Sequence, residues 1–292
     1  MSLPDGAVAL LRRVGRGGTL VFCHANGLNA GAYRPMLDAL GTDEAVIAPD
    51  ARGHGRTGLA APPRALRSWT LYADDLAATL AALDPAPPVT LAGHSMGAVT
   101  ALLAAANGVP AARLVMIEPV IVPRAVRLAA RLPLPGLVPR LVPIARRARR
   151  RRGAWPDADA VRAAYGRSGF FRAWDEAALA GYLGDGLVED EEGGVRLSCE
   201  PSWEAASFAA QAHRFWGPLR RVIERGVPVH VLHADGTDGG RGGGSTVPAR
   251  AASRLARAGC AVTRARGDHM LPLHRPGDAA AYLRLGLRGG GV

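Results

Sequence analysis

The sequence predicts an α/β protein: a mostly parallel central sheet with helices on both faces and a helical insertion in its second half. Three observations predict this. Short apolar runs (Thr19 to Cys23, Ala45 to Asp50, Val89 to Ala92, Arg113 to Glu118, Val227 to His233) alternate with stretches of helical spacing. Several of these runs lead into segments rich in Gly, His, Asp or Ser, as expected where loops collect at the ends of parallel strands. The alternation stops after Pro119 and resumes at Val227, an interval too long for a plain connection. The expected organisation is a core in two parts, 1–121 and 226–292, with a helical cap inserted over 122–225.

Taken in order, Ala7 to Val14 reads as a strand closed by a glycine turn, and Thr19 to Cys23 as the first buried strand. Tyr33, Met36, Leu37 and Leu40 share one helical face. After the strand Ala45 to Asp50, Ser68 is placed to cap a helix over Trp69 to Leu83. Pro87-Pro88 then precedes an apolar strand, and an Ala/Leu-rich helix follows it up to Asn107-Gly108. Within the insertion, helices are expected around Asp157 to Tyr165, Asp175 to Leu183 and Trp203 to His213. A strand at Val227 to His233, a glycine-rich loop from Ala234 to Ser245, a helix at Ala249 to Ala258, a strand at Cys260 to Ala265 and a helix over Pro272 to Leu287 complete the chain.

A chain of 292 residues, 48% hydrophobic and 21% charged, fits a soluble globular protein with one large domain. The net charge is +11, yet every basic residue is Arg and there is no Lys. With abundant Ala, Gly and Pro, that pattern fits a coding bias better than selection for nucleic acid or membrane. The arginine run from Arg146 to Arg152 reads as a solvated helix face, with a contact for an acidic substrate or partner as the alternative. Cys23, Cys199 and Cys260 are too dispersed for a disulfide framework, which fits a reducing, cytoplasmic compartment. No apolar stretch approaches the roughly 20 residues of a membrane span. The histidines lack metal-ligand spacing, so neither metal nor cofactor is expected.

The chemistry concentrates at Gly93-His94-Ser95-Met96-Gly97, between strand and helix. Two glycines let the chain turn sharply there and lift the Ser95 hydroxyl clear of the sheet, beside a helix N-terminus that favours developing negative charge. In this context the pentapeptide resembles the nucleophile elbow of the α/β-hydrolases. Asp50-Ala51-Arg52-Gly53-His54-Gly55-Arg56-Thr57 resembles the family's loop after its fourth strand, and His24-Ala25-Asn26-Gly27 its oxyanion loop, with Ala25 in place of the usual glycine.

The resemblance implies Ser95 as nucleophile and His269, in Arg266-Gly267-Asp268-His269-Met270, as base. For the acid it selects Asp238, with Asp235 and Glu118 as alternatives. It implies Met96 and Asn26 as backbone donors to the oxyanion. The expected activity is a serine hydrolase of a small carbonyl substrate (ester, thioester or lactone) acting through an acyl-enzyme. A carbon–carbon bond hydrolase of the same fold and a non-catalytic ligand-binding relative are the alternatives.

Overall fold

The computed structural model describes residues 1–3, 6–59, 62–63, 66–132, 138, 141–237 and 244–288. Strands β1 (Ser2–Leu3) and β2 (Gly6–Ala7) form a small antiparallel pair. Then come β3 (Leu10–Arg13), β4 (Thr19–Cys23), β5 (Ala45–Pro49), β6 (Val89–His94) and β7 (Arg113–Ile117). Next along the chain are β8 (Ala154–Trp155), β9 (Leu187–Glu189) and β10 (Val195–Leu197), followed by β11 (Val229–Ala234) and β12 (Ala261–Ala265).

Seven strands make the central sheet in the order β12-β11-β7-β6-β4-β5-β3. Every neighbouring pair is parallel except β3 against β5. This is the mostly parallel, helix-covered sheet that the alternation of strands and helices predicts. Chain direction across the sheet reverses between β4 and β6, which lie side by side. Crevices open beyond the carboxyl ends of strands at such a switch point, and the loops carrying Asn26 and Ser95 leave from these two strands.

The central strands β4, β5, β6 and β7 are mostly apolar because both faces are covered. Alternate residues separate into two cores. Val21, Leu91, Leu114, Met116 and Val231 pack with the helices Thr70–Leu83, Met96–Ala106 and Trp216–Glu224. Leu20, Phe22, Ala92, Val115 and Leu232 pack on the other face with Tyr33, Met36 and the helix Pro276–Arg288.

Helix boundaries differ from the sequence reading where a local group stops or caps the chain. The stretch after Asn29 opens as a 3-10 turn, Ala30–Tyr33, before the helix Arg34–Asp38, with Asn29 Oδ1 accepting from Ala32 N. The helix Pro201–Ala209 ends four residues before His213. The C-terminal helix is split into Leu271–His274 and Pro276–Arg288, since Pro276 cannot continue the first. Asp157 and Asp175 cap the helices Ala158–Arg167 and Glu176–Gly186, accepting from Ala160 N and Ala178 N.

The segment between β7 and β11 is not purely helical: β8, β10 and β9 form a three-stranded antiparallel sheet within it. Its aromatic residues mostly pack together. Tyr165 stacks on Phe171 with centroids 3.9 Å apart, and Trp155, Trp174 and Tyr182 join the same core. Trp203 instead reaches the loop after β5, donating from Nε1 to the carbonyl of Arg52. No described helix is long and apolar enough to cross a membrane.

Candidate active site

Ser95 leads from β6 into the helix Met96–Ala106 with φ 56° and ψ −114°, a conformation that costs a non-glycine residue energy. Its neighbours explain why the strain persists. A Cβ on Gly97 would lie 2.0 Å from the Cys23 carbonyl oxygen, and one on Gly93 2.4 Å from the Gly97 backbone. Only bare backbone fits at both positions, and Ser95 N is held by the Ile117 carbonyl at 2.9 Å. The hydroxyl is thereby fixed at the top of the sheet.

His269 arrives from the loop after β12, 174 residues away in sequence, with Nε2 3.1 Å from Ser95 Oγ. Its Nδ1 lies 3.1 Å from Glu118 Oε2. Glu118 is the first residue beyond β7 and has φ 48°. With Nδ1–H donating to the carboxylate, Nε2 is left to accept from the serine hydroxyl, the tautomer a general base requires. Thus β6, β7 and β12, all ending at one edge, bring three side chains into line.

Glu118 is the best-supported carboxylate in the molecule. Oε1 accepts from Ala234 N at 2.6 Å and Ser245 Oγ at 2.7 Å, and Oε2 accepts from Thr246 N at 2.8 Å. Burial alone would push its pKa up, but the bonds from His269, Ala234 and Ser245 outweigh it and hold the group at about 2. It stays ionised while almost wholly buried.

The other acid candidates stand differently. Asp238, the acid selected from the sequence, lies outside the described residues. Asp235 accepts from Thr237 and from Gly267 N at 3.1 Å, tying the loop after β11 to the one carrying His269. The carboxylate on His269 Nδ1 is therefore Glu118, the third candidate in the sequence reading. Its signal was a lone acid closing the apolar run Arg113 to Ile117, where a strand end points into the site.

The loop after β4 is positioned by two neutral imidazoles. His24 Nε2 accepts from Ala51 N at 2.9 Å, and His54 Nε2 accepts from Gly27 N at 3.0 Å. Burial pushes both pKa values down, His54 to about 3, so each remains uncharged. Asn26 is further anchored by Nδ2, which donates to the Glu204 carbonyl at 3.0 Å. Asp50 accepts from Ala30 N and Arg56 N, and Arg52 grips Asp75 through Nε and Nη2 at 2.8 and 2.6 Å. These residues organise loops, the role the sequence suggests for Asp50 and Arg52. Met96 opens its helix, so its N–H has no intrahelical acceptor.

One connection was not legible in the sequence. Ala25 N donates to Tyr33 Oη, Tyr33 Oη donates to His94 Nδ1 at 2.7 Å, and His94 Nε2 donates to the His269 carbonyl at 2.7 Å. A buried chain of bonds thus joins the Asn26 loop to the His269 loop. Burial, and then the neighbouring His269, lower the His94 pKa to about 3. Among the described residues no group of His, Cys, Asp and Glu is arranged to hold a metal ion.

Known proteins resemble this chain in sequence and in fold. A 2-(acetamidomethylene)succinate hydrolase from Mesorhizobium japonicum is 33% identical over 97 residues, which is 33% of this chain and 34% of that protein. The match thus spans about a third of the relative's length. The crystal structure of E-2-(acetamidomethylene)succinate hydrolase aligns over 96% of both chains with a TM-score of 0.74 and 21% identity. An N-formylmaleamic acid deformylase from Pseudomonas putida aligns with a TM-score of 0.64 at 18% identity, covering 94% of this chain and 95% of that one. The thioesterase domain from the curacin biosynthetic pathway aligns with a TM-score of 0.70 at 17% identity, covering 98% and 97%. At these identities the structural matches speak for the fold. The profile of the alpha/beta hydrolase family matches residues 20–281, nearly the whole sheet and its helices, and this chain belongs to that family.

Proposed function

We propose that this hydrolase acts on a small carbonyl substrate through an acyl-enzyme, with Ser95 as nucleophile, His269 as base and Glu118 as acid. The observation that carries the reading is the continuous line Ser95 Oγ, His269 Nε2, His269 Nδ1, Glu118 Oε2, with two separations of 3.1 Å. The 122–225 segment acts as a cap over the site, and its contacts with Asn26 and Arg52 support that role.

In the first half-reaction His269 Nε2 takes the Ser95 proton as Oγ bonds to the carbonyl carbon. The resulting oxyanion is received by the backbone N–H groups of Met96 and Asn26. Glu118 stabilises the imidazolium without accepting its proton. Collapse of the intermediate expels the leaving group, which takes the proton from His269. Water, activated by the same imidazole, then releases the acid and restores Ser95.

Esters, thioesters and lactones all suit this machinery. The names of the relatives extend the class to amides, since they refer to an acetamidomethylene succinate and a formylmaleamic acid. The test is turnover of a panel of p-nitrophenyl esters, thioesters, lactones and N-acyl dicarboxylic acids by wild type and Ser95→Ala. The account expects turnover by wild type and none by the variant. Equal turnover by both would refute it.

A further inference from the structure

A cavity of about 470 Å³ is lined in part by Val120, Ile121 and Val122, the residues that follow Glu118 and Pro119. Val120, Ile121, Phe215, Trp216 and Ala251 form apolar parts of its lining. Arg124, Arg127, Arg250, Arg254 and Arg257 also line it, and no carboxylate is among its described lining residues. Some arginines elsewhere on the surface have acidic neighbours: Arg56 pairs with Asp185, Arg162 with Asp159, Arg196 with Glu200 and Arg220 with Glu224. Among the described residues, none of the five cavity arginines has an ion-pair partner.

Three further observations point to a ligand at this face. The Arg127 pKa is lowered by desolvation and then by repulsion from Arg131, Arg214 and Arg124, so positive charge is crowded here without compensation. His213, which also lines the cavity, is 7% exposed, and its buried Nδ1 has no hydrogen-bond partner among the described residues. The Arg254 guanidinium sits 3.8 Å over the Trp216 ring, which holds its plane in place and leaves its N–H edge available.

We infer that this cavity is a binding site for the polyphosphate group of a small molecule, held by charge-assisted bonds from the cavity arginines, with His213 as a further polar contact. Planar guanidinium forks match phosphate oxygens, and several of them around one hollow suit a group with more than one negative charge. Part of its lining follows Glu118 in the chain. The inference does not depend on the proposed acyl-transfer chemistry.

The test is isothermal titration calorimetry with inorganic pyrophosphate on the full chain. Arg127→Ala/Arg254→Ala and the more peripheral Arg124→Ala/Arg250→Ala are compared with Arg149→Ala/Arg150→Ala, which removes the same charge from the arginine run instead. Circular dichroism establishes that each variant is folded. Wild type should bind saturably. Each cavity pair should weaken binding by about tenfold or more, from the loss of charge-assisted bonds, while the arginine-run pair leaves it within about twofold of wild type. Ser95→Ala should bind as wild type does, which separates this site from the catalytic one. Absence of saturable binding, or equal weakening by all three double variants, would overturn the inference.

Discussion

The imidazole of His94 donates from Nε2 to the main-chain carbonyl of His269 across 2.7 Å, while its Nδ1 accepts from Tyr33 Oη. The residue before the nucleophile thus fixes the backbone of the proposed base. Through Tyr33 and Ala25 N it also fixes the loop carrying Asn26. Tyr33→Phe removes the middle of this chain with little change in shape and leaves Ala25 N and His94 Nδ1 without that partner. Its expected effect is a fall in kcat of about tenfold to a hundredfold with KM little changed, since the loss is one of positioning in the transition state. Steady-state kinetics on a turned-over ester checks this; a change confined to KM would contradict it.

Assignment of the acid is open to direct comparison. Glu118→Gln keeps the shape but removes the charge on His269 Nδ1 and the preference for the useful tautomer. Its kcat should fall by roughly a thousandfold or more, as in other triads stripped of the carboxylate charge. Asp235→Asn, which keeps an acceptor for Thr237 and Gly267 N, should stay within about threefold of wild type, and so should Asp238→Asn. Loss of turnover in Asp238→Asn with activity retained in Glu118→Gln would return the role to Asp238.

Sharp turning at the elbow predicts intolerance at Gly97. Adding one methyl there places carbon 2.0 Å from the Cys23 carbonyl oxygen, a backbone atom in the middle of the sheet. Gly97→Ala should lower unfolding stability by about 3 kcal/mol or more. Gly217→Ala, whose new Cβ meets nothing within 4 Å, should change it far less. Urea denaturation of the two variants provides the comparison.

Buried imidazoles set the acid limit of stability. Burial lowers His54 and His94 to about 3 and His213 to about 4, from an ordinary 6.5. Below 6.5 the unfolded chain therefore binds protons that the folded chain refuses, and stability falls as pH drops from 6.5 towards 4. Each imidazole contributes up to about 1.4 kcal/mol per pH unit over that interval. Glu118 adds loss of the same sign lower down, as pH falls from 4.5 through about 2, because its folded pKa is depressed. Urea midpoints measured from pH 7.5 to 4.5 should decline steadily below 6.5. A flat profile would show that these side chains are accessible to protons in the folded state.

Much of this was legible in the residues themselves. Apolar runs separated by helical spacing lead to the parallel sheet because strands covered on both faces need no polar alternation. Gly93, Ser95 and Gly97 announce the elbow because only glycine tolerates the close backbone approach found there. Spacing could not reveal which carboxylate meets His269, since parallel strands gather loops from distant sequence at one edge and Glu118 and Asp235 both follow strands. The strands β8 to β10 escaped notice because two or three residues are too short to establish a period. Tyr33 read as one residue of a helical apolar face; its hydroxyl contact with His94 exists only in three dimensions.

The central claim is a serine made nucleophilic by His269 and Glu118, and covalent trapping tests it most directly. Intact-mass spectrometry after treatment with a fluorophosphonate should find one adduct per wild-type chain, with peptide mapping placing it on Ser95. Labelling should slow sharply in His269→Ala and in Glu118→Gln. A folded wild-type chain that takes up no adduct, or takes it up at a residue other than Ser95, would contradict the account.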